Sequence, residues 1–178
     1  MSGLVPGMTI ADVARAMNVP LVPLNESDAW SRICATKTIR STTFVGPDGM
    51  IGSPPGYASL VRKDGRTLVV YGTRAKPDDV LHELAHLMDY NSFYDEYPIL
   101  VWQALVVTYL EPAQARACRE DMSSYYFEWY GSPLRGPGSR VDDFDAWLNS
   151  PEFQELRGIS RSRGIVDDQG PVLRKVNP

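Results

Sequence analysis

The sequence predicts an α+β protein with an N-terminal helix, a small and mostly antiparallel sheet, and a helical C-terminal half. Strand-like runs punctuated by Gly and Pro turns lie within residues 41–72, and helical patterns replace them abruptly at Pro77. With 178 residues, 43% of them hydrophobic, the chain can form one domain with a core. We therefore predict a single domain over 1–178, with a loose polar tail from about residue 160.

The N-terminal elements follow from local signals. Residues 9–17 carry apolar side chains at helical spacing, and Thr9 is suited to cap the helix. The predicted strands are 41–45, 57–62 and 67–72. Asp64 and Gly65 separate the last two and tolerate the positive φ of a type I′ turn, which predicts a hairpin.

The first helix of the C-terminal half begins at Pro77, a residue favoured at the first helical position. Asp78 and Asp79 complement the helix dipole, and the helix is predicted to run to about Asp89. The stretch 98–110 is predicted to be helical and is so apolar that it must be largely buried, although its composition also allows a strand. Two more helical regions are predicted, at 112–129 and within 141–156.

Composition excludes several partners. The formal charge is −4, from 18 basic and 22 acidic residues, and no Lys/Arg cluster indicates nucleic-acid binding. No segment approaches the roughly 20 apolar residues of a membrane span, and the N-terminus does not resemble a signal peptide. Cys34 and Cys118 lack metal-binding spacing and are predicted to be reduced, although one disulfide between them stays open. We predict a cytoplasmic protein.

One local pattern raises the alternative of DNA binding. Residues 9–19, TIADVARAMNV, resemble the first helix and turn of a LacI-type helix-turn-helix. Pro20 and Pro23 stand where the recognition helix would begin, and proline disrupts helix interiors. DNA binding is therefore not predicted.

The residues that carry chemistry are 82–86, HELAH, and they contain both histidines of the chain. On a helix, positions i and i+4 lie on one face, so His82 and His86 can bind the same Zn²⁺ while Glu83 lies beside the metal-bound water. Two histidines at this spacing with an intervening glutamate arise by chance roughly once in a thousand sequences of this composition. Glu83 is then the general base of a hydrolytic reaction.

Here the sequence resembles the zincin superfamily of HExxH zinc metallopeptidases. HELAHLMD is similar to a segment of the Mlc titration factor A peptidases and anthrax-lethal-factor-like proteases, which also carry an Asp three residues after the second His. The resemblance covers about ten residues. It implies a hydrolase, a metalloprotease that holds an extended peptide or protein substrate along an edge strand, here 67–72 or its partner 57–62.

The third metal ligand must come from outside the motif. No histidine remains, so a carboxylate or, less favourably, a cysteine is needed. In glutamate-type zincins this ligand begins an ExxA-like pattern on a later helix, and Glu120 with its following serines resembles it, so the resemblance implies Glu120 as the third ligand. Asp121 is the neighbouring alternative. Asp95 and Glu96 are further alternatives, because aspartate-type zincins place an Asp about ten residues beyond the second His; Glu111 and Glu128 rank below them.

Supporting residues and a second function class complete the predictions. Asp89 lies on the face of His82 and is predicted to orient a ligand imidazole, the alternative being a solvent-facing helix end. Zincins also stabilise the oxyanion with a side chain such as Tyr, for which the candidates are Tyr90, Tyr94, Tyr125, Tyr126 and Tyr130. The alternative function is a catalytically inactive zincin-fold protein that acts in binding or regulation.

Overall fold

A computed structural model describes residues 3–23, 58–63, 65–72, 75–89, 97–129 and 140–177. Its helices and strands confirm the α+β class. The helices are α1 (Ile10–Ala16), α2 (Pro77–His86), α3 (Tyr97–Val107), α4 (Pro112–Trp129), α5 (Arg140–Leu148) and α6 (Pro151–Ser162). The strands are β1 (Leu21–Pro23), β2 (Ala58–Lys63), β3 (Arg66–Tyr71), β4 (Val166–Asp167) and β5 (Gly170–Pro171).

Helix α1 begins as its sequence predicts. The Thr9 hydroxyl accepts a hydrogen bond from the Asp12 backbone N–H at 3.1 Å, and the Asp12 carboxylate accepts from the Thr9 backbone N–H at 2.9 Å. This reciprocal pair is a capping box, and it satisfies N–H groups that the helix itself leaves unbonded. The Thr9 backbone N–H, the Thr9 hydroxyl and Arg15 all donate to the Asp12 carboxylate and lower its pKa to about 2.

The main sheet is mixed, with strand order β1-β3-β2. Strands β2 and β3 are antiparallel with Lys63 opposite Arg66, which leaves two residues for the turn, and Gly65 has a φ of 77°. The predicted hairpin is therefore confirmed. Strand β1 pairs in parallel with β3, Leu21 opposite Val69, so β3 is central. Of the two alternatives expected for the edge strand, 67–72 is therefore wrong and 57–62 remains.

Helices α2 and α3 form the centre of the described packing. Helix α2 contacts β2 and β3 on one side and α1, α3 and α4 on others, while α3 packs against α2, α4 and α6. The stretch that the sequence left open is thus a helix, and Trp102 near its middle is fully buried. The Trp102 indole N–H donates to the Val172 carbonyl at 2.9 Å. Among the described residues, no helix combines the length and apolar character needed to cross a membrane.

The polar tail is docked, in contrast to the prediction that it is loose. Asn177 is 4% exposed and its side chain bonds both Thr67 and the Asn18 carbonyl, while the Val176 N–H donates to the Met17 carbonyl. Pattern analysis misses this because the partners lie more than 100 residues away in sequence. The region predicted to hold one short helix contains α5 and the start of α6, separated by Asn149 and Ser150, and the Ser150 hydroxyl caps α6.

Candidate metal centre

Helix α2, which carries the HELAH motif, has strong local reasons to form. Pro77 occupies the first helical position, and the Asp79 carboxylate accepts a hydrogen bond from the Lys76 backbone N–H at 2.8 Å. The side chains of Leu81 and Leu84 are fully buried. Because the helix is fixed by packing on several sides, the direction in which its histidines point is fixed as well.

The two histidines converge on one point. The Nε2 atoms of His82 and His86 are 3.1 Å apart, and the imidazole planes cross at 83°. Two nitrogen ligands of a tetrahedral zinc ion, each at the usual bond length, are ~3.3 Å apart. The observed separation is therefore close to that of two nitrogen ligands of such an ion.

Burial sets the protonation of this pair. His86 is 1% exposed, and burial, followed by the neighbouring His82, lowers the pKa of His86 to about 3. His86 is therefore neutral at physiological pH, which is the form that binds metals. Glu83 is 4% exposed, and its position lies about 100° around α2 from His82.

Gln103 is a site residue that the sequence analysis missed. Its side chain is 1% exposed, and its Oε1 lies 3.0 Å from Nδ1 of His82, the ring nitrogen that does not face His86. The Gln103 Nε2 donates to Oδ1 of Asp78 at 2.6 Å. A signal existed in the sequence, since Gln103 is the single amide, hydroxyl or charged side chain in 98–107, and buried amides need partners.

Asp78 and its neighbours form an acidic region at the start of α2. Burial raises the pKa of Asp78 to about 8, against the opposing effect of the Gln103 hydrogen bond. The Asp121 carboxylate lies 2.9 Å from the Lys76 ammonium, and this hydrogen bond raises the pKa of Lys76. The charge of Asp121 is thus compensated by Lys76 rather than directed at the histidines.

The structure does not assemble a third ligand from the described residues. Glu120 is on α4 with an exposed side chain, and within the described part of the chain no three His, Cys, Asp or Glu side chains are grouped to hold a metal ion. Glu111 caps α4, its carboxylate accepting from the Gln114 N–H at 2.8 Å. Asp95 and Glu96 lie outside the described residues. The identity of the third ligand stays a prediction.

The predicted supporting residues have mixed outcomes. Asp89 is 10% exposed, and its carboxylate accepts a hydrogen bond from the Arg163 guanidinium at 2.9 Å, so it is not a solvent-facing helix end. Its expected role beside an imidazole stays a prediction. Tyr90, Tyr94 and Tyr130 lie outside the described residues; further tyrosine candidates, Tyr125 and Tyr126, belong to α4, as does Glu128.

Comparison with known proteins adds no assignment. The chain matches no protein-family model, no curated protein and no solved structure. The zincin resemblance consequently depends on the HELAHLMD segment and the pattern at Glu120, and any function must be argued from the site itself.

Proposed function

We propose that this protein is a zinc-dependent peptidase of the zincin type, in which His82 and His86 hold the metal and Glu83 is the general base. The observation that carries the proposal is the 3.1 Å separation of the two histidine Nε2 atoms on one helix. A separation this close to that of two zinc ligands, with a glutamate between them in sequence, supports a metal site over a packing coincidence.

Each residue has a defined part in the proposed reaction. A bound zinc ion would lower the pKa of a water molecule to about 7 and polarise the scissile carbonyl. Glu83 takes a proton from the attacking water and later gives it to the leaving amine. The buried surroundings of Glu83 and His86 keep bulk water away and strengthen the electrostatic interactions within the site.

We further propose that the substrate is a peptide or protein bound in extended form. Among the strands that the structure describes, β2 is an outer strand of the three-stranded sheet, and α2 packs against it. An added substrate strand at that edge would run close to the helix that carries the site. The buried free thiol of Cys118, whose pKa burial raises, supports the proposed cytoplasmic location, where thiols stay reduced.

The test begins with metal content and a matched set of variants. Purified protein is analysed for zinc, stripped with a chelator, and titrated with Zn²⁺; cleavage is measured on labelled casein and on a quenched peptide library. Glu83→Gln is expected to retain zinc and lose at least ~100-fold in turnover, because the base is removed and the ligands stay. Glu155→Gln, an exposed glutamate on α6, is the control and should cleave normally.

Measurements of zinc affinity also identify the third ligand and help to distinguish the peptidase from the alternative, inactive protein. His82→Ala and His86→Ala should each abolish tight zinc binding, and among alanine variants of Glu120, Asp121, Asp95 and Glu96, the one that matches that loss identifies the ligand. A wild-type protein without zinc affinity would contradict the proposal. Zinc binding without cleavage of either substrate would favour the inactive binding or regulatory protein, and cleavage by Glu83→Gln would exclude Glu83 as the base.

A further inference from the structure

We infer that Gln103 is a positioning residue that fixes the tautomer of His82, so that the Nε2 lone pair of His82 faces the metal position. The role in metal binding rests on the proposed function. The tautomer itself does not, because it is a property of the metal-free protein. The inference stands on the hydrogen bonds that join α3 to α2 through Gln103.

Contacts of the amide nitrogen with Asp78 determine the orientation of the Gln103 side-chain amide. Its Nε2 faces two oxygens of Asp78, the side-chain Oδ1 at 2.6 Å and the backbone carbonyl at 3.5 Å. A backbone carbonyl is an acceptor only, so the group facing it must be the NH₂ end of the amide. In the opposite orientation, the Gln103 oxygen would face the Asp78 carbonyl oxygen, and the amide N–H groups would lose that carbonyl as an acceptor.

The orientation of the Gln103 amide determines which ring nitrogen of His82 is protonated. With its NH₂ end on Asp78, Gln103 presents Oε1 to Nδ1 of His82, and an oxygen acceptor at 3.0 Å requires that Nδ1 carry the proton. A neutral imidazole then has its lone pair on Nε2. Without metal, the hydrogen between the two Nε2 atoms must belong to His86, which donates to His82.

A purely structural role of Gln103 predicts different effects of its substitution. A buried amide that only satisfies its own hydrogen bonds would affect stability without changing which ring nitrogen is protonated. A positioning residue would change both the tautomer and the metal affinity, because a partner of this kind holds the ring and is typically worth ~10–100-fold in affinity.

Three variants separate these roles. Gln103→Met keeps a similar length but removes the hydrogen bonds to His82 and Asp78, and Gln103→Glu restores an oxygen acceptor for Nδ1 but not the amide donor to Asp78. Gln114→Met is the matched control, because Gln114 also accepts a hydrogen bond through Oε1, from the Ile10 N–H at 2.8 Å, away from the histidines. Imidazole ¹⁵N chemical shifts of the metal-free proteins report the tautomer, and a chelator competition reports zinc affinity. With two histidines in the chain, His86→Gln assigns the signals.

Wild-type protein and Gln114→Met are expected to show the Nδ1–H tautomer of His82. Gln103→Met should shift it toward Nε2–H and lose ~10–100-fold in zinc affinity, while Gln103→Glu should restore the Nδ1–H form. An Nε2–H tautomer of His82 in the wild type would overturn the inference even if no variant folds. So would a folded Gln103→Met with unchanged shifts. Nδ1–H His82 in a protein without zinc affinity would support the tautomer assignment and contradict the proposed function instead.

Discussion

Replacing Asp78 with asparagine should stabilise the protein, and by an amount that depends on pH. Burial raises the pKa of Asp78 from 3.8 to about 8, so the folded protein holds this carboxyl protonated at neutral pH, whereas the unfolded chain ionises it. An asparagine Oδ1 can still accept the hydrogen bond from Gln103 and never ionises. Asp78→Asn therefore removes an ionisation penalty and keeps the contact.

The shift in the pKa of Asp78 on folding determines the sign and size of its pH-dependent contribution to the free energy of unfolding. A carboxyl with a raised folded pKa contributes its full stability below the unfolded value near pH 4 and loses it progressively as the pH rises to about 8. One pKa unit corresponds to about 1.4 kcal/mol, which gives up to roughly 4 kcal/mol at pH 7. Asp78 is only partly buried by surface area, and water reaching it should reduce the effect to about 2 kcal/mol.

Urea unfolding of the metal-free protein at pH 4.5, 6 and 7.5 measures this effect. The stability advantage of Asp78→Asn over wild type should be small at pH 4.5 and grow to about 2 kcal/mol at pH 7.5. Asp12→Asn is the contrasting control: the pKa of Asp12 is lowered from 3.8 to about 2, so that variant should be less stable than wild type by an amount that stays nearly constant from pH 4.5 to 7.5. A difference between Asp78→Asn and wild type that does not change with pH would refute the reasoning.

Two further predictions concern stability alone, and urea unfolding checks both. Asn177→Ala removes three hydrogen bonds that the buried side chain makes to Thr67 and Asn18, and should lower the free energy of unfolding by roughly 2–4 kcal/mol; an unchanged value would mean that the tail is not docked. Asn149→Ala, whose side chain is exposed, is its control and should change it by less than about 1 kcal/mol. Arg163→Met removes the guanidinium that pairs with the nearly buried Asp89 carboxylate, and it should lower the free energy of unfolding by about 1–3 kcal/mol. An unchanged free energy of unfolding would show that the Arg163–Asp89 pair does not stabilise the fold.

The elements that the sequence predicted best are those whose signals are local. Helix α4 has the predicted bounds, Pro112–Trp129, because Pro112 opens a long helical pattern. Gly65 and the flanking strand residues predict the β2–β3 hairpin because its register is set by a two-residue turn. Strand β1 was missed because it is three residues long, ends at Pro23, and pairs with residues that come 48 positions later.

In the candidate site, too, the residues set by local spacing were predictable from the sequence, and the residue set by tertiary packing was not. His82 and His86 were predictable because a spacing of four residues on a helix brings their rings together, and the structure places their Nε2 atoms 3.1 Å apart. Gln103 reaches His82 from a different helix, 21 residues along the chain, so its role depends on how α2 and α3 pack. No periodicity within either helix encodes that packing.

The position of Asp121 limits how a third ligand can be supplied from α4. Its carboxylate is bonded to Lys76, which precedes α2 and lies six residues before His82, an axial rise of ~9 Å along the helix. Glu120, one position earlier on α4, has an exposed side chain. For Asp121 to bind a metal held by His82 and His86, its carboxylate would have to leave Lys76. A zinc ion that recruits Asp121 should therefore weaken that pair, whereas one that recruits Asp95 or Glu96, which lie between α2 and α3 in sequence, would leave it intact.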